Sequence, residues 1–126
     1  MVRVLARVPS IRHQRDFRRI FAGGRRYHGR YMTAVVADAG APGAVRLAFV
    51  TSRKVGNAVK RNRVRRRLRH AAWDLVETGS APHDVVLIAR RSAVNAKYGA
   101  LHAEISTLLE RAGVIEKSGM SGSLSG

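Results

Sequence analysis

Between Arg53 and Arg69 the chain carries nine lysines and arginines and no acid. Through and beyond that stretch, Val64, Leu68, Ala71, Ala72 and Leu75 recur at i, i+4, i+7, i+8 and i+11. The spacing belongs to a helix with one apolar stripe. Asn57 is a good N-cap for it, and Gly79 and Pro82 end it, so the sequence predicts a helix from about Ala58 to Glu77. A helix so charged cannot be enclosed on every side, because a cation buried without a partner is costly. It must pack by its stripe and offer the rest of its circumference to something outside.

The remaining charge is distributed to the same effect. Residues 1–70 hold 19 Lys and Arg against Asp16 and Asp38, whereas residues 71–126 hold five basic and six acidic residues. The net charge of +16 therefore sits in the first half, which reads as binding surface, and the second half reads as scaffold. So much like charge destabilises a compact state unless a polyanion relieves it. At 126 residues the chain makes one domain with a core of ordinary size. The absence of cysteine removes disulfides, thiol nucleophiles and cysteine-based zinc sites. The longest apolar run, Val85 to Ala89, is far too short for a membrane span, and no apolar run of signal-peptide length follows the basic N-terminus. These readings point to a cytoplasmic polyanion-binding domain.

Along the chain, residues 1–12 read as a basic arm broken at Pro9-Ser10, residues 13–113 as the domain, and residues 114–126 as a tail, disordered from about 117 where Gly and Ser dominate. From His13 to Ala22, Phe17, Ile20 and Phe21 share one face of a short helix that Gly23-Gly24 stops. Arg30–Ala37 and Val45–Ser52 read as antiparallel strands joined by the turn-rich linker from Asp38 to Gly43. Val85–Arg90, apolar without a break as far as Ala89, fits a buried strand between neighbours. Leu101, Ile105, Leu108, Leu109 and Ala112 repeat the helical stripe, with Gly113 as C-terminal cap. The fold class is an α/β sandwich of one sheet with helices packed on it.

On the wheel of the central helix, Asn62, Arg65, Arg66 and Arg69 share the solvent face, and Arg63 and Arg67 lie on one flank. Lys60 and Arg61 fall on the stripe side one turn earlier, so the first turn must project past the sheet. No acid precedes Asp74 in this helix, so i,i+4 pairing cannot neutralise the cluster. Free N–H groups at the helix start add to its attraction for phosphate. Charge alone does not choose between RNA and DNA.

The same segment carries a resemblance. Lys54 to Arg69, KVGNAVKRNRVRRRLR, is similar to the signature of the bacterial ribonuclease P protein component. The Arg61-Asn62-Arg63 core, the preceding Gly56-Asn57-Ala58-Val59, and the downstream Arg66, Leu68 and Arg69 match it, as do Phe17, Phe21 and Gly24. Arg67 and His70 depart from it. The resemblance covers about residues 10–112.

It implies an α+β two-layer sandwich, αβββαβα, with a central mixed sheet and a left-handed β-α-β crossover. It also implies a protein subunit whose catalytic RNA removes the 5′ leader of precursor tRNA with Mg²⁺. Residues expected to meet that RNA are Asn57, Lys60, Arg61, Asn62, Arg63, Arg65, Arg66 and Arg69. Phe17, Phe21, Tyr31, Ser52, Arg53 and Lys54 are expected to meet the leader. The partners are ribonuclease P RNA and precursor tRNA, with no DNA, no membrane and no obligate protein partner. No catalytic or metal-binding residue is expected in the chain itself. The competing reading is a structural RNA-binder such as a small ribosomal protein, which would need neither the paired phenylalanines nor the Arg-Asn-Arg core.

Some residues read two ways. Phe17 and Phe21 are core by periodicity, or a stacking surface by the resemblance, and one edge packed with one face open satisfies both. Tyr31 is a half-buried tyrosine or a similar surface. Trp73, opposite the stripe, covers the Arg69 stem or belongs to an interaction surface. The histidines His13, His28, His70, His83 and His102 show no metal-ligand spacing.

Overall fold

A computed structural model describes residues 10–38, 45–76 and 82–116. The elements are α1 (Gln14–Gly23), β1 (Arg25–His28), β2 (Met32–Asp38), β3 (Arg46–Val50), α2 (Ala58–Val76), β4 (His83–Ala89) and α3 (Tyr98–Arg111). One-turn 3₁₀ segments, Arg53–Val55 and Arg91–Asn95, precede α2 and α3. The four strands form one mixed sheet in the order β1-β2-β4-β3. This is the expected αβββαβα arrangement. Residues 1–9, 39–44, 77–81 and 117–126, which hold most of the arm, the linker and the Gly/Ser-rich tail, lie outside the described residues.

The expected hairpin between the second and third strands is corrected. β2 and β3 do not pair; β4 lies between them, antiparallel to β2 and parallel to β3. The cause is the apolar run itself. Val85, Val86 and Leu87 are fully buried, so β4 has to be covered on both faces and on both edges. The turn-rich segment expected to close that hairpin, Asp38 to Gly43, lies outside the described residues but for Asp38. The pairing of β1 with β2 is a hairpin, in register from Arg25↔Val36 to His28↔Thr33. Reading the residues gave no strand at Arg25–His28, because two arginines and a histidine carry no β-forming signal.

The two sheet faces are covered unequally. Met32, Ala34, Val36, Leu47, Val85, Leu87 and Ala89 face α2 and α3 and join the larger core with Val64, Leu68, Ala71, Ala72, Leu101, Ile105, Leu108 and Leu109. Val35, Ala48 and Val86 face α1, where they meet Ile11 and Ile20 alone as buried partners. The stripe that the sequence assigns to α2 is therefore the stripe that packs.

Local chemistry sets the element ends. Asn57 caps α2 through Oδ1, which accepts from the Lys60 N–H at 2.9 Å. α3 closes with the Gly113 N–H on Glu110 O (3.1 Å) and the Val114 N–H on Leu109 O (2.9 Å), with Gly113 at φ 78°. Gly24 lets α1 turn tightly onto the sheet, since a Cβ there would stand 2.5 Å from Ile20 O. The β1–β2 turn is held by Glu104 of α3, whose carboxylate accepts from the N–H groups of Arg30, Tyr31 and Met32 at 2.7, 2.7 and 3.0 Å. The packed unit extends past the expected domain ends: the Ile11 N–H donates to Leu47 O at 2.9 Å, and Val114 is buried.

Candidate nucleic-acid interface

α1 covers its sheet face incompletely. Ile20 is buried, but Phe17 and Phe21 are half-buried, their rings stacked 6.3 Å apart at 25°. Val50 and Ile88 are likewise only partly covered. Around this apolar floor stand polar groups that point the same way by strand register. The Arg26 guanidinium lies 5.6 Å from the Phe21 ring centre. Thr33 Oγ1 accepts from Arg90 Nη2 at 3.2 Å and lies 3.3 Å from His28 Nδ1. Flat aromatic faces ringed by cations and hydrogen-bonding groups suit unpaired bases and their phosphates.

An ion-pair cluster holds α1 in place. Asp84 of β4, wholly buried, pairs with Arg19 of α1, and with Arg46 of β3 at 2.7 and 2.8 Å. Asp16 stands 3.5 Å from both arginines. Hydrogen bonding to Asp84 holds both guanidinium groups charged beyond their ordinary range. These carboxylates are thereby engaged, and no three His, Asp or Glu side chains converge as metal ligands among the described residues.

α2 supplies the charge. None of its lysines or arginines pairs with a carboxylate among the described residues. Its first turn projects, as expected: Val59 is 75% exposed and Lys60 is exposed. Arg61 folds back, donating to Gly56 O at 2.8 Å. Gly56 sits at φ 145°, and a Cβ there would stand 2.9 Å from Lys60 Cδ, so glycine is required at this entry. Arg65 donates to Asn62 Oδ1 at 2.8 Å and to Thr51 Oγ1 at 2.6 Å, partners that leave its charge uncompensated.

The structure divides the expected RNA-facing set. Asn57, Lys60, Asn62, Arg63 and Arg66 are exposed. Arg65 and Arg69 are half-buried, turned toward β3 and α1, and with Phe17 they line one groove. Ser52, Arg53 and Lys54 follow the end of β3, where Ser52 Oγ accepts from the Lys54 N–H at 3.3 Å. Tyr31 is not brought to the phenylalanines. It packs on the larger core, with Arg30 5.5 Å from its ring centre. Trp73 is half-buried against that core and lines the Arg65–Arg69 groove. Sequence reasoning missed Arg26, His28, Thr33, Thr51, Ile88 and Arg90. Ile88 lay hidden in an unbroken apolar run, and the others depend on strand pairing or on contacts between distant residues that local spacing does not encode.

The model of the ribonuclease P family matches residues 5–113. The ribonuclease P protein component of Symbiobacterium thermophilum is 35% identical over 106 residues, covering 82% of this chain and 90% of the relative. That of Acidothermus cellulolyticus is 38% identical over 103 residues, covering 80% and 85%. Among solved structures, the RNase P protein of Staphylococcus aureus superposes with a TM-score of 0.78 at 24% identity, covering 87% of this chain and all of that one. That of Thermotoga maritima gives 0.72 at 25%, covering 81% and 96%.

Proposed function

Because the chain belongs to the ribonuclease P protein family, as the protein subunit of that endoribonuclease, we propose that its two adjoining surfaces hold two RNAs. The exposed cations of α2 dock the ribonuclease P RNA, and the half-covered α1 face takes the single-stranded 5′ leader of precursor tRNA. One observation carries this reading: stacked, half-open Phe17 and Phe21 lie beside a helix whose cations have no carboxylate partner among the described residues. A structural RNA-binder of the ribosomal kind is disfavoured by the family match.

The chain's contribution is positional. Asp84, Arg19 and Arg46 hold α1 at a set height over the sheet, which keeps the aromatic faces open. Arg26 and Arg90 flank the floor and steer phosphates onto it. α2 then brings the same strand beside the docked RNA. Mg²⁺, which would supply the metal-assisted step, fits the RNA subunit rather than Asp16 and Asp84, which are already bound to arginine. We place this assembly in the cytoplasm; among the described residues no helix is long and apolar enough to cross a membrane.

The test compares cleavage of precursor tRNA by protein alone, by the RNA alone at high Mg²⁺, and by both at low Mg²⁺. Specific cleavage is expected from the combination at low Mg²⁺. Specific cleavage by nuclease-free protein alone would overturn the assignment.

A further inference from the structure

A groove of about 210 Å³ runs along the outer edge of β3, lined by Ile11, Phe17, Phe49, Arg65, Arg69 and Trp73 among others. Arg65, Arg69 and Trp73 follow one another at i, i+4 and i+8, so α2 presents two cations and an indole ring in a row. All three are half-buried, and the Arg69 side chain has no hydrogen-bond or ion-pair partner among the described residues. The volume is below that of sites for drug-sized ligands, roughly 300–1,000 Å³, and suits one ring system. Phe17 belongs both to this groove and to the stacked pair, so the two surfaces are continuous.

We propose that this groove takes one further unpaired nucleotide of the strand that lies on Phe17 and Phe21. Its base stacks on Trp73, and its phosphate sits between Arg65 and Arg69. The groove brings aromatic side chains, Phe17, Phe49 and Trp73, together with two arginines, which suits a nucleotide with its flat base and its phosphate better than a free anion. The single-stranded leader is the occupant, because the continuity through Phe17 leads from the leader surface and not from the projecting start of α2. This inference rests on the leader-binding reading above.

Trp73 is the single tryptophan of the chain and reports on the site directly. The full-length protein is titrated with single-stranded oligoadenylates and with length-matched abasic strands, while filter retention follows binding independently. Oligoadenylate is expected to quench Trp73 emission with the midpoint of binding, and abasic strands to quench it far less. Trp73→Ala is expected to weaken oligoadenylate binding roughly tenfold, within the range for one stacked base, whereas Trp73→Phe retains most of it. Should Trp73→Ala melt in circular dichroism, the wild-type quenching decides. Binding without a change in emission, or equal quenching by abasic strands, overturns the site and leaves the leader reading intact. Emission that responds to ribonuclease P RNA but not to oligoadenylate assigns the groove to the other RNA and overturns the proposal. No retention of any single strand defeats the leader reading itself.

Discussion

The two faces of the sheet differ in how completely they are covered. Under α2 and α3, Leu68, Leu101, Ile105 and Leu109 are wholly buried against strand residues that are themselves wholly or almost wholly buried. Under α1, Ile20 alone of the helix is buried, and Phe17 and Phe21 remain half open. One short helix cannot cover a four-stranded sheet, and its shortness leaves the apolar floor accessible. The dry face stabilises the fold; the half-covered face leaves aromatic and aliphatic surface accessible. Charge follows the same division, since α2 packs by its stripe on the dry side while Arg65 and Arg69 reach past the β3 edge toward the open side.

Substitutions separate the two faces. Leu68→Ala is expected to cost about 2–5 kcal/mol of stability in denaturant unfolding, with RNA affinity unchanged wherever the protein is still folded. A small loss there would mean that the α2 side is not the stabilising core. Glu104→Ala removes the acceptor of three backbone N–H groups and is expected to cost about 1–3 kcal/mol, mostly by loosening the β1–β2 turn. Hydrogen exchange at Arg30–Met32 should rise more than at α2 amides.

Phe21→Ala tests the opposite face. Binding of precursor tRNA is expected to weaken by about 1–3 kcal/mol, with mature tRNA little affected and a smaller loss of stability than Leu68→Ala gives. Parallel losses on both tRNAs would return Phe21 to plain core. Smallest of all, Arg66→Ala should leave stability within about 0.5 kcal/mol of wild type. It should also flatten the slope of log affinity against log salt for ribonuclease P RNA by about one. An unchanged slope would remove Arg66 from the docking surface.

Much of this arrangement is legible in the chain itself. The period of Val64, Leu68, Ala71 and Ala72 determined which side of α2 is buried, because hydrophobic periodicity and burial are two forms of one constraint. Asn57 and Gly113 announced helix ends because capping is a local interaction, satisfied by the nearest residues. The uncompensated charge needed no fold to be read, since no acid is close enough in sequence to cancel it.

Tertiary structure alone decided what depends on contacts between distant residues. β4 enters between β2 and β3, and no local turn signal records a strand that arrives about forty residues later. The joining of Asp84 to Arg19 and Arg46 has the same character, across separations of 65 and 38 residues. The wheel places Trp73 opposite the stripe, yet Trp73 packs, because β3 and the segment at Ser10–Ile11 lie beside that flank of α2. A helical wheel knows the direction in which a side chain leaves its own helix. What waits in that direction is set by the elements that fold against it.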